Sequence, residues 1–145
     1  MKTPCLPDQY DRQAKVGLLI NELQTKLETS LDRALAKYDV SAAQYVVVSA
    51  IASGRADTAA QLCKEISYTP GAMTRMLNRL EDKNLIFRTT HDDNLRVRRV
   101  ALTETGKRLY PELKATSVAV VSDFFARLES TELSTIERLM DKLSR

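Results

Sequence analysis

Residues 67–103 read SYTPGAMTRMLNRLEDKNLIFRTTHDDNLRVRRVALT, and this stretch decides how the chain folds. Its first half predicts a helix, because Thr69 is a good N-cap, Pro70 suits the first helical position and apolar residues recur at helical spacing. The helix is expected to end at Asn84, since asparagine tolerates the left-handed conformation that closes many helices. Its predicted buried stripe consists of Met73, Met76, Leu77 and Leu80.

A β-hairpin is predicted for the second half of this stretch. Residues 86–91 and 97–102 are rich in strand-forming side chains, and the charged segment 92–96 separates them. Before the stretch, Thr58 is expected to cap a short helix whose inward residues are Ala59, Leu62, Cys63 and Ile66. A short helix, a turn, a second helix with a basic outer face and a hairpin together predict a helix-turn-helix with a wing.

Long helices are predicted on both sides of this unit. Residues 10–38 carry an apolar stripe at helical spacing, whereas residues 1–9, with two prolines, are expected to form a loose arm. Thr103 is expected to cap a helix that Pro111 bends, and Ser130 or Thr131 is expected to cap a last amphipathic helix. A small domain offers too little surface to bury the first of these helices alone.

A shorter helix is predicted between the first long helix and the helix-turn-helix. Ser41 and Gln44 have the spacing of a capping box, and Gly54 suits the position just after a helix. The valine-rich run between them also fits a buried strand. The cap and the glycine favour the helix.

The composition is that of one globular domain, with 145 residues, 43% hydrophobic and 28% charged. No run of eighteen apolar residues is present and the N-terminal residues lack the apolar core of a signal peptide, so a cytoplasmic protein without a membrane span is expected. Residues 55–108 hold eleven Lys/Arg against seven Asp/Glu, whereas the rest of the chain is nearly balanced. This local excess indicates either a solvated basic face or a polyanion-binding surface.

The inventory of reactive side chains argues against an enzyme. His91 is the single histidine, no Cys/His or carboxylate group has metal-ligand spacing, and no glycine-rich phosphate loop is present. Neither a metal nor a cofactor is therefore expected. The two cysteines, Cys5 and Cys63, are too few for a disulfide framework.

The order of these motifs resembles the multiple-antibiotic-resistance regulator (MarR) family of winged-helix transcription factors. The resemblance rests on GAMTRMLNRLEDKNLIFR, the charged turn after it and VALTETGKRL, and it extends over nearly the whole chain. It implies a homodimer whose N- and C-terminal helices interlock, with each chain presenting one winged helix to double-stranded DNA. It also implies a repressor that a small aromatic acid or phenol, or in some members an oxidant, releases from its operator.

The resemblance implies a mainly α fold with a small β-hairpin wing. Residues 41–103 are predicted to form the DNA-binding lobe, and residues 1–40 and 104–145 the helical dimerisation region. Asn84 stands where the family usually has glycine, a change that the backbone tolerates. Asn94-Leu95-Arg96 stands where Asp-x-Arg is usual, so the wing arginine lacks its usual acidic partner unless Asp92 or Asp93 replaces it.

The predicted DNA contacts come from the outer face of the helix after Thr69 and from the wing. Gly71 and Ala72 are small enough for close approach to the major groove, and Arg75 is the leading candidate for a guanine or phosphate contact. Arg79 is expected to contact a phosphate or an acidic side chain, and Arg96 to enter the minor groove. The full predicted set is Thr69, Gly71, Ala72, Thr74, Arg75, Asn78, Arg79, Arg96 and Arg98.

Regulation is predicted less directly. The resemblance implies an effector pocket between the dimerisation helices and the lobe, and the candidate lining residues are Tyr38, Tyr45, Val48 and Met73, each of which also fits a plain core position. Cys5, in the N-terminal arm, is the candidate for a redox-responsive regulator. A winged-helix protein that binds and antagonises another protein is the remaining alternative, although the cationic helix and wing favour DNA.

Overall fold

The computed structural model describes residues 7–90 and 98–145. Helix α1 (Pro7–Leu35) leads through a short 3-10 helix (Ala36–Tyr38) to α2 (Ala42–Ala52), α3 (Ala59–Ile66) and α4 (Pro70–Asp82). Strands β1 (Ile86–Thr90) and β2 (Arg98–Leu102) form an antiparallel hairpin, and α5 (Glu104–Phe124) and α6 (Ser130–Ser144) follow. The predicted mainly α class with a β-hairpin wing is confirmed.

Local capping explains where most of the helices begin. Ser41 Oγ accepts from the Gln44 N–H and Gln44 Oε1 from the Ser41 N–H, both at 3.1 Å, so the valine-rich run is helical and the strand alternative is excluded. Thr58, Thr69 and Thr103 cap α3, α4 and α5 through their side-chain oxygens, as predicted. Asn84 adopts the predicted left-handed conformation, with φ of 59°.

Three local predictions are wrong. Helix α1 begins at Pro7 and not at residue 10, because proline is favoured in a first helical turn. Glu129, and not Ser130 or Thr131, precedes α6; the Glu132 carboxylate accepts from the Glu129 N–H at 3.0 Å and stabilises this earlier start. Ala59 is exposed, because it lies in the first turn of α3 at the edge of a groove beside the wing.

The hydrophobic core joins the lobe to the flanking helices. Leu35 of α1 and Leu113 of α5 are buried with the inward residues of α2, α3 and α4 and of both strands. Met73, Met76, Leu77 and Leu80 are buried as predicted. Helix α5 runs without interruption through Pro111, and the bend expected there stays a prediction.

Gly106 marks a close backbone approach between α5 and the end of the helix-turn-helix. A Cβ atom at this position would lie 2.2 Å from the Leu85 carbonyl oxygen. The same oxygen accepts from the Thr103 N–H at 3.1 Å, and the Thr103 hydroxyl donates to the Asn84 carbonyl at 2.6 Å. The lobe and α5 are therefore joined through backbone groups, at a distance that only glycine permits.

Helices α1 and α6 leave a large apolar surface uncovered. On α1 its members are Tyr10, Val16, Leu18, Leu19, Ile20 and Leu23, and on α6 Leu133, Ile136, Leu139, Met140 and Leu143. No helix within the described ranges is long and apolar enough to cross a membrane. Exposed apolar surface of this extent on a folded chain indicates an interaction site.

Candidate nucleic-acid interface

The outer face of α4 presents the residues predicted for the recognition helix. Thr69, Gly71, Thr74, Arg75, Asn78 and Arg79 are exposed and Ala72 is half-buried, while the opposite face carries the core stripe. Thr69 Oγ1 accepts from the Ala72 N–H at 3.2 Å, and the Thr74 hydroxyl donates to the Pro70 carbonyl at 2.9 Å. Among the described residues, a Cβ at Gly71 would meet the Arg75 guanidinium alone, at 3.7 Å, so the backbone at the start of α4 is open to close approach.

The arginines of the lobe fall into two groups. Three form ion pairs at 2.7 or 2.8 Å: Arg55 with Glu65, Arg88 with Glu81, and Arg99 with Asp57. Arg75, Arg79 and Arg98 are exposed and form no ion pair with another residue that the structure describes. Cations without an internal partner keep their charge available for an outside anion, and all three belong to the predicted DNA-contact set.

Arg88 links the wing to α4. It lies on β1 with its side chain 20% exposed, and its Nε donates to Glu81 at 2.7 Å while a terminal nitrogen donates to the Asn78 side-chain oxygen. Arg88 is absent from the set predicted from sequence. The sequence does contain a signal for this pair. Glu81 lies three residues after Asn78 on the helix face predicted to meet DNA, and a carboxylate on that face indicates a neighbouring cation that neutralises it.

A second link holds the wing from the other side. Arg99 Nη1 donates to Asp57 at 2.8 Å, and the Val100 N–H donates to the Asp57 carbonyl at 2.7 Å. Thr58 forms an isolated antiparallel bridge with Arg99. The base of the wing is thus held to α4 through Arg88 and to the connection before α3 through Arg99.

The strand register separates the two arginines of β2, as predicted. Thr90 pairs with Arg98 and Arg88 with Val100, so Arg98 and Arg88 share the face of the hairpin that looks towards α3 and α4. Arg99 lies on the opposite face. Arg96, His91, Asp92 and Asp93 lie outside the described residues, and so does the wing turn. Their predicted roles stay predictions.

A groove lies between the inner face of the wing and the helices, and we call it the wing groove. Its volume is about 440 Å³, which falls within the roughly 300–1,000 Å³ that small-molecule sites usually have. Its polar lining residues are Arg88, Arg98, Thr58 and Thr74. The remaining lining residues are Ala59, Ala60, Leu77 and Val100. Two guanidinium groups above an apolar floor suit a flat organic anion.

The four residues predicted for an effector pocket take core positions. Val48 and Met73 are 1% and 0% exposed, and Tyr38 and Tyr45 are half-buried against the core. The Tyr38 hydroxyl lies 3.4 Å from Thr116 Oγ1. A crevice of 280 Å³ does lie between α1 and the lobe, but its lining is a different set: Gln24, Leu27, Glu28, Leu31, Ala42, Ala43, Val46, Ile66 and Tyr68.

The remaining features are candidate metal sites and the two cysteines, within the ranges that the structure describes. No cluster of three or more His, Cys, Asp or Glu side chains that could hold a metal ion occurs there. Cys63 is a half-buried free thiol, and Cys5 falls outside these ranges. The redox role predicted for Cys5 stays a prediction.

Comparison with known proteins fits this geometry. A family model described as the MarR family matches residues 38–96, which include the helix-turn-helix and β1. A crystal structure of the reduced form of MarR from Escherichia coli is 32% identical to this chain and superposes with a TM-score of 0.72, covering 88% of this chain and 94% of that one. The chain belongs to the MarR family. A MarR-family fold thus accounts for the helix-turn-helix, the wing and the long flanking helices together.

One further relative and a DNA-bound structure of MarR extend the comparison with known proteins. The HTH-type transcriptional repressor MdtR of Bacillus subtilis 168 is 26% identical over 129 residues, covering 89% of this chain and 83% of that protein. A crystal structure of a mutant MarR from E. coli, complexed with operator DNA, superposes with a TM-score of 0.84 at 27% identity, covering 92% and 96% of the two chains. This chain is accordingly a winged-helix transcription regulator.

Proposed function

We propose that this MarR-family regulator binds operator DNA as a homodimer, represses transcription by occupying the operator, and is released by a small aromatic acid or phenol. The observation that carries DNA binding is the set of three exposed arginines without an ion-pair partner among the described residues, Arg75, Arg79 and Arg98, beside the open N-terminal turn of α4. The operator-bound MarR structure supports the same use of the fold, and the repressor MdtR supports repression. A cytoplasmic location follows as an expectation.

Helix α4 has the shape and chemistry for major-groove reading. The groove admits an α-helix, and arginine recognises guanine through two hydrogen bonds. The small Gly71 and half-buried Ala72 let the first turn approach the bases, and Arg75 stands next to Gly71 on the exposed face. The N–H groups at the start of α4 favour a phosphate. Arg79, one turn later, is placed for a backbone phosphate.

The wing is proposed to position the lobe on the neighbouring DNA backbone. Its two anchors, Arg88 to Glu81 and Arg99 to Asp57, hold the hairpin before DNA arrives, which lowers the ordering cost of binding. Arg98 then offers a free guanidinium beside α4, and Arg96 is proposed for the minor groove.

The uncovered apolar surface of α1 and α6 supports a homodimer. It lies on the two terminal helices, whereas α4 packs mainly on α3 and β1, so pairing through α1 and α6 would leave both α4 helices free. A two-fold dimer presents two such helices, and half-site centres are then expected about one helical turn, roughly 10 base pairs, apart.

Selection of bound sequences from random double-stranded DNA, followed by footprinting, tests this proposal. A pseudo-palindrome protected on both half-sites is the expected result. A single asymmetric half-site would contradict the dimer. No enrichment of any sequence, together with capture of a protein partner, would favour the alternative of a winged-helix antagonist.

Replacing Arg75 with alanine is expected to weaken operator binding by about 1–3 kcal/mol, because a bidentate base contact has roughly that value. The affinity for random DNA should change much less. Binding isotherms on both DNAs measure the two effects, and Lys64→Ala provides a control, since Lys64 is an exposed cation on α3 outside the predicted contact set. Equal losses on operator and random DNA would make Arg75 a phosphate ligand instead.

Ligand release is best supported at the wing groove. An aromatic carboxylate there would meet Arg88 and Arg98 and rest on Leu77 and Val100. It would also compete with Glu81 and Asn78 for Arg88, and with DNA phosphate for Arg98. None of the described residues that line the crevice between α1 and the lobe is basic, so it suits a neutral phenol better than an acid.

Arg98→Met is expected to weaken the binding of benzoate and its hydroxylated derivatives by about tenfold, the value of a hydrogen bond to a charged group. Binding of neutral phenols should be unchanged. Calorimetry on DNA-free protein measures both, and Arg79→Met serves as the matched control because Arg79 is an exposed arginine outside the groove. Unchanged carboxylate binding in Arg98→Met would place the effector elsewhere.

A further inference from the structure

Of the seven Lys/Arg residues in the stretch 67–103, Lys83 is the one that neither the proposed DNA contacts nor the wing anchors use. Lys83 is the residue that closes α4, and its backbone N–H donates to the Arg79 carbonyl at 3.1 Å. Its side chain is 29% exposed and folds back away from the outer face of α4. The position of Lys83 is therefore fixed by the end of the recognition helix.

The partners of Lys83 lie where α1 meets the lobe. Its Nζ donates to Gln44 Oε1 at 2.9 Å and to the Asp39 carbonyl, and the Asp39 carboxylate is 3.7 Å away. Asp39 ends the 3-10 helix in a left-handed conformation, with φ of 55°. Gln44 is 7% exposed and belongs to the capping box of α2, so it is itself held in place.

This joint is further stiffened from the α1 side. Asp32, on α1, accepts from the Ala42 N–H at 2.7 Å, and so ties the end of α1 to the first residue of α2. Helix α4 otherwise packs mainly on α3 and β1, which belong to the same lobe. The Lys83 side chain is thus a direct connection from the recognition helix to the joint with the dimerisation helix.

We propose that Lys83 is a positioning residue that sets the orientation of α4 relative to α1 and thereby selects the half-site spacing of the operator. In a dimer the two α1 helices are fixed against each other, so the separation of the two α4 helices depends on how each lobe is held at this joint. Loss of the Lys83 hydrogen bonds removes the link between the end of α4 and this joint, so α4 is oriented less firmly, whereas the contact of the lobe with α5 at Leu85 and Thr103 remains. The inference rests on the proposed homodimeric operator binding.

Three DNA probes test this proposal. They are the palindrome selected by the wild-type protein and two derivatives with one base pair added or removed between the half-sites, a shift of about 3.4 Å along the axis. The wild-type protein is expected to bind each derivative about tenfold or more weakly. Lys83→Met is expected to reduce that ratio to about threefold or less, since hydrogen bonds from a charged donor have free energies of this order, while affinity for a single half-site is retained.

Two further variants separate position from charge. Lys107→Met removes an exposed lysine whose ammonium lies 3.5 Å from Glu104 at the start of α5, and it should keep the wild-type spacing ratio. Gln44→Met removes the side-chain acceptor of Lys83 without changing the net charge, and leaves the Asp39 carbonyl as its remaining acceptor. It also removes the bond from the Ser41 N–H, one of the two bonds of the α2 capping box. It should relax the spacing ratio and leave the salt dependence of binding as in the wild type. Thermal unfolding verifies that each variant is folded. If Lys83→Met is unfolded, the spacing ratio of Gln44→Met tests the proposal in its place.

Two results would overturn the proposal. One contradicts the positioning role of Lys83, and the other contradicts the operator-binding dimer on which that role rests. In the first, Lys83→Met keeps the wild-type spacing ratio but binds every probe more weakly, with a salt slope lower by about one. Lys83 would then be a ligand of a DNA phosphate and not a positioning residue. A wild-type protein without any spacing preference would overturn the operator-reading dimer itself, and the wild-type arm shows this before any variant is measured.

Discussion

Leu139→Glu is expected to convert the proposed dimer into a monomer and to lower operator affinity by at least about a hundredfold. Leu139 is 46% exposed and lies among the apolar side chains of α6. A carboxylate there would have to be buried without a partner in the proposed interface, which costs several kcal/mol. A monomer also loses the gain from binding two half-sites together, which is typically a factor of about 10²–10⁴.

Sedimentation equilibrium and operator binding on the same samples measure both parts of this prediction. Ser134→Glu is the matched control, because Ser134 is exposed on α6 and helical geometry places it roughly opposite the apolar stripe. It adds the same charge to the same helix and should leave mass and affinity unchanged. A Leu139→Glu protein that remains dimeric would exclude this part of α6 from the interface.

The second large effect is expected at Gly106. Alanine there would bring its Cβ to 2.2 Å from the Leu85 carbonyl oxygen and 3.4 Å from the Leu102 Cβ. Leu85 is 4% exposed, and its N–H donates to the Leu80 carbonyl at 3.0 Å, so this backbone cannot move aside easily. The start of α5 would have to shift, and with it the Thr103 cap, in which the hydroxyl oxygen accepts from the Gly106 N–H at 3.0 Å.

We expect Gly106→Ala to lower the free energy of unfolding by about 2–3 kcal/mol, the upper part of the range of about 1–3 kcal/mol that overpacking usually costs. Urea unfolding at one protein concentration measures it, since dimer stability depends on concentration. Gly17→Ala is the control: in the part of the chain that the structure describes, no atom outside the backbone of α1 lies within 4 Å of a Cβ at Gly17. Alanine is also favoured over glycine inside a helix by up to about 1 kcal/mol. If the two variants proved equally stable, the close approach at Gly106 would make no measurable contribution to the free energy of unfolding.

The starts of α2, α3, α4 and α5 were predicted correctly from the sequence because local hydrogen bonds fix them. Ser41, Thr58, Thr69 and Thr103 each cap a helix through an N–H three residues ahead, a span short enough to see in the residue order. The error at α6 has the same origin, since Glu129 with Glu132 competes with the serine and threonine that follow. The residues around position 130 are compatible with two N-termini for α6, and the folded chain has the earlier one.

The candidate site was predicted only in part. Residue type and helical position were enough to place Arg75 and Arg79 on the outer face of α4, because the opposite face is apolar. The same reasoning could not separate free arginines from paired ones. Arg88 and Arg99 look as suitable for DNA as Arg98 in sequence, yet their ion pairs with Glu81 and Asp57 make them wing anchors.

The sequence by itself determined the helix-turn-helix, its caps, the apolar and basic faces of α4 and the amphipathic helices on either side. Only the tertiary structure decided which cations are free, where the wing groove lies, and that Lys83 connects α4 to the joint at Gln44, 39 residues away in the chain. The physical reason is the range of the interactions. Helix caps and helical periodicity act within a few residues, whereas an ion pair or a long-range hydrogen bond depends on which distant residues the packed core brings together.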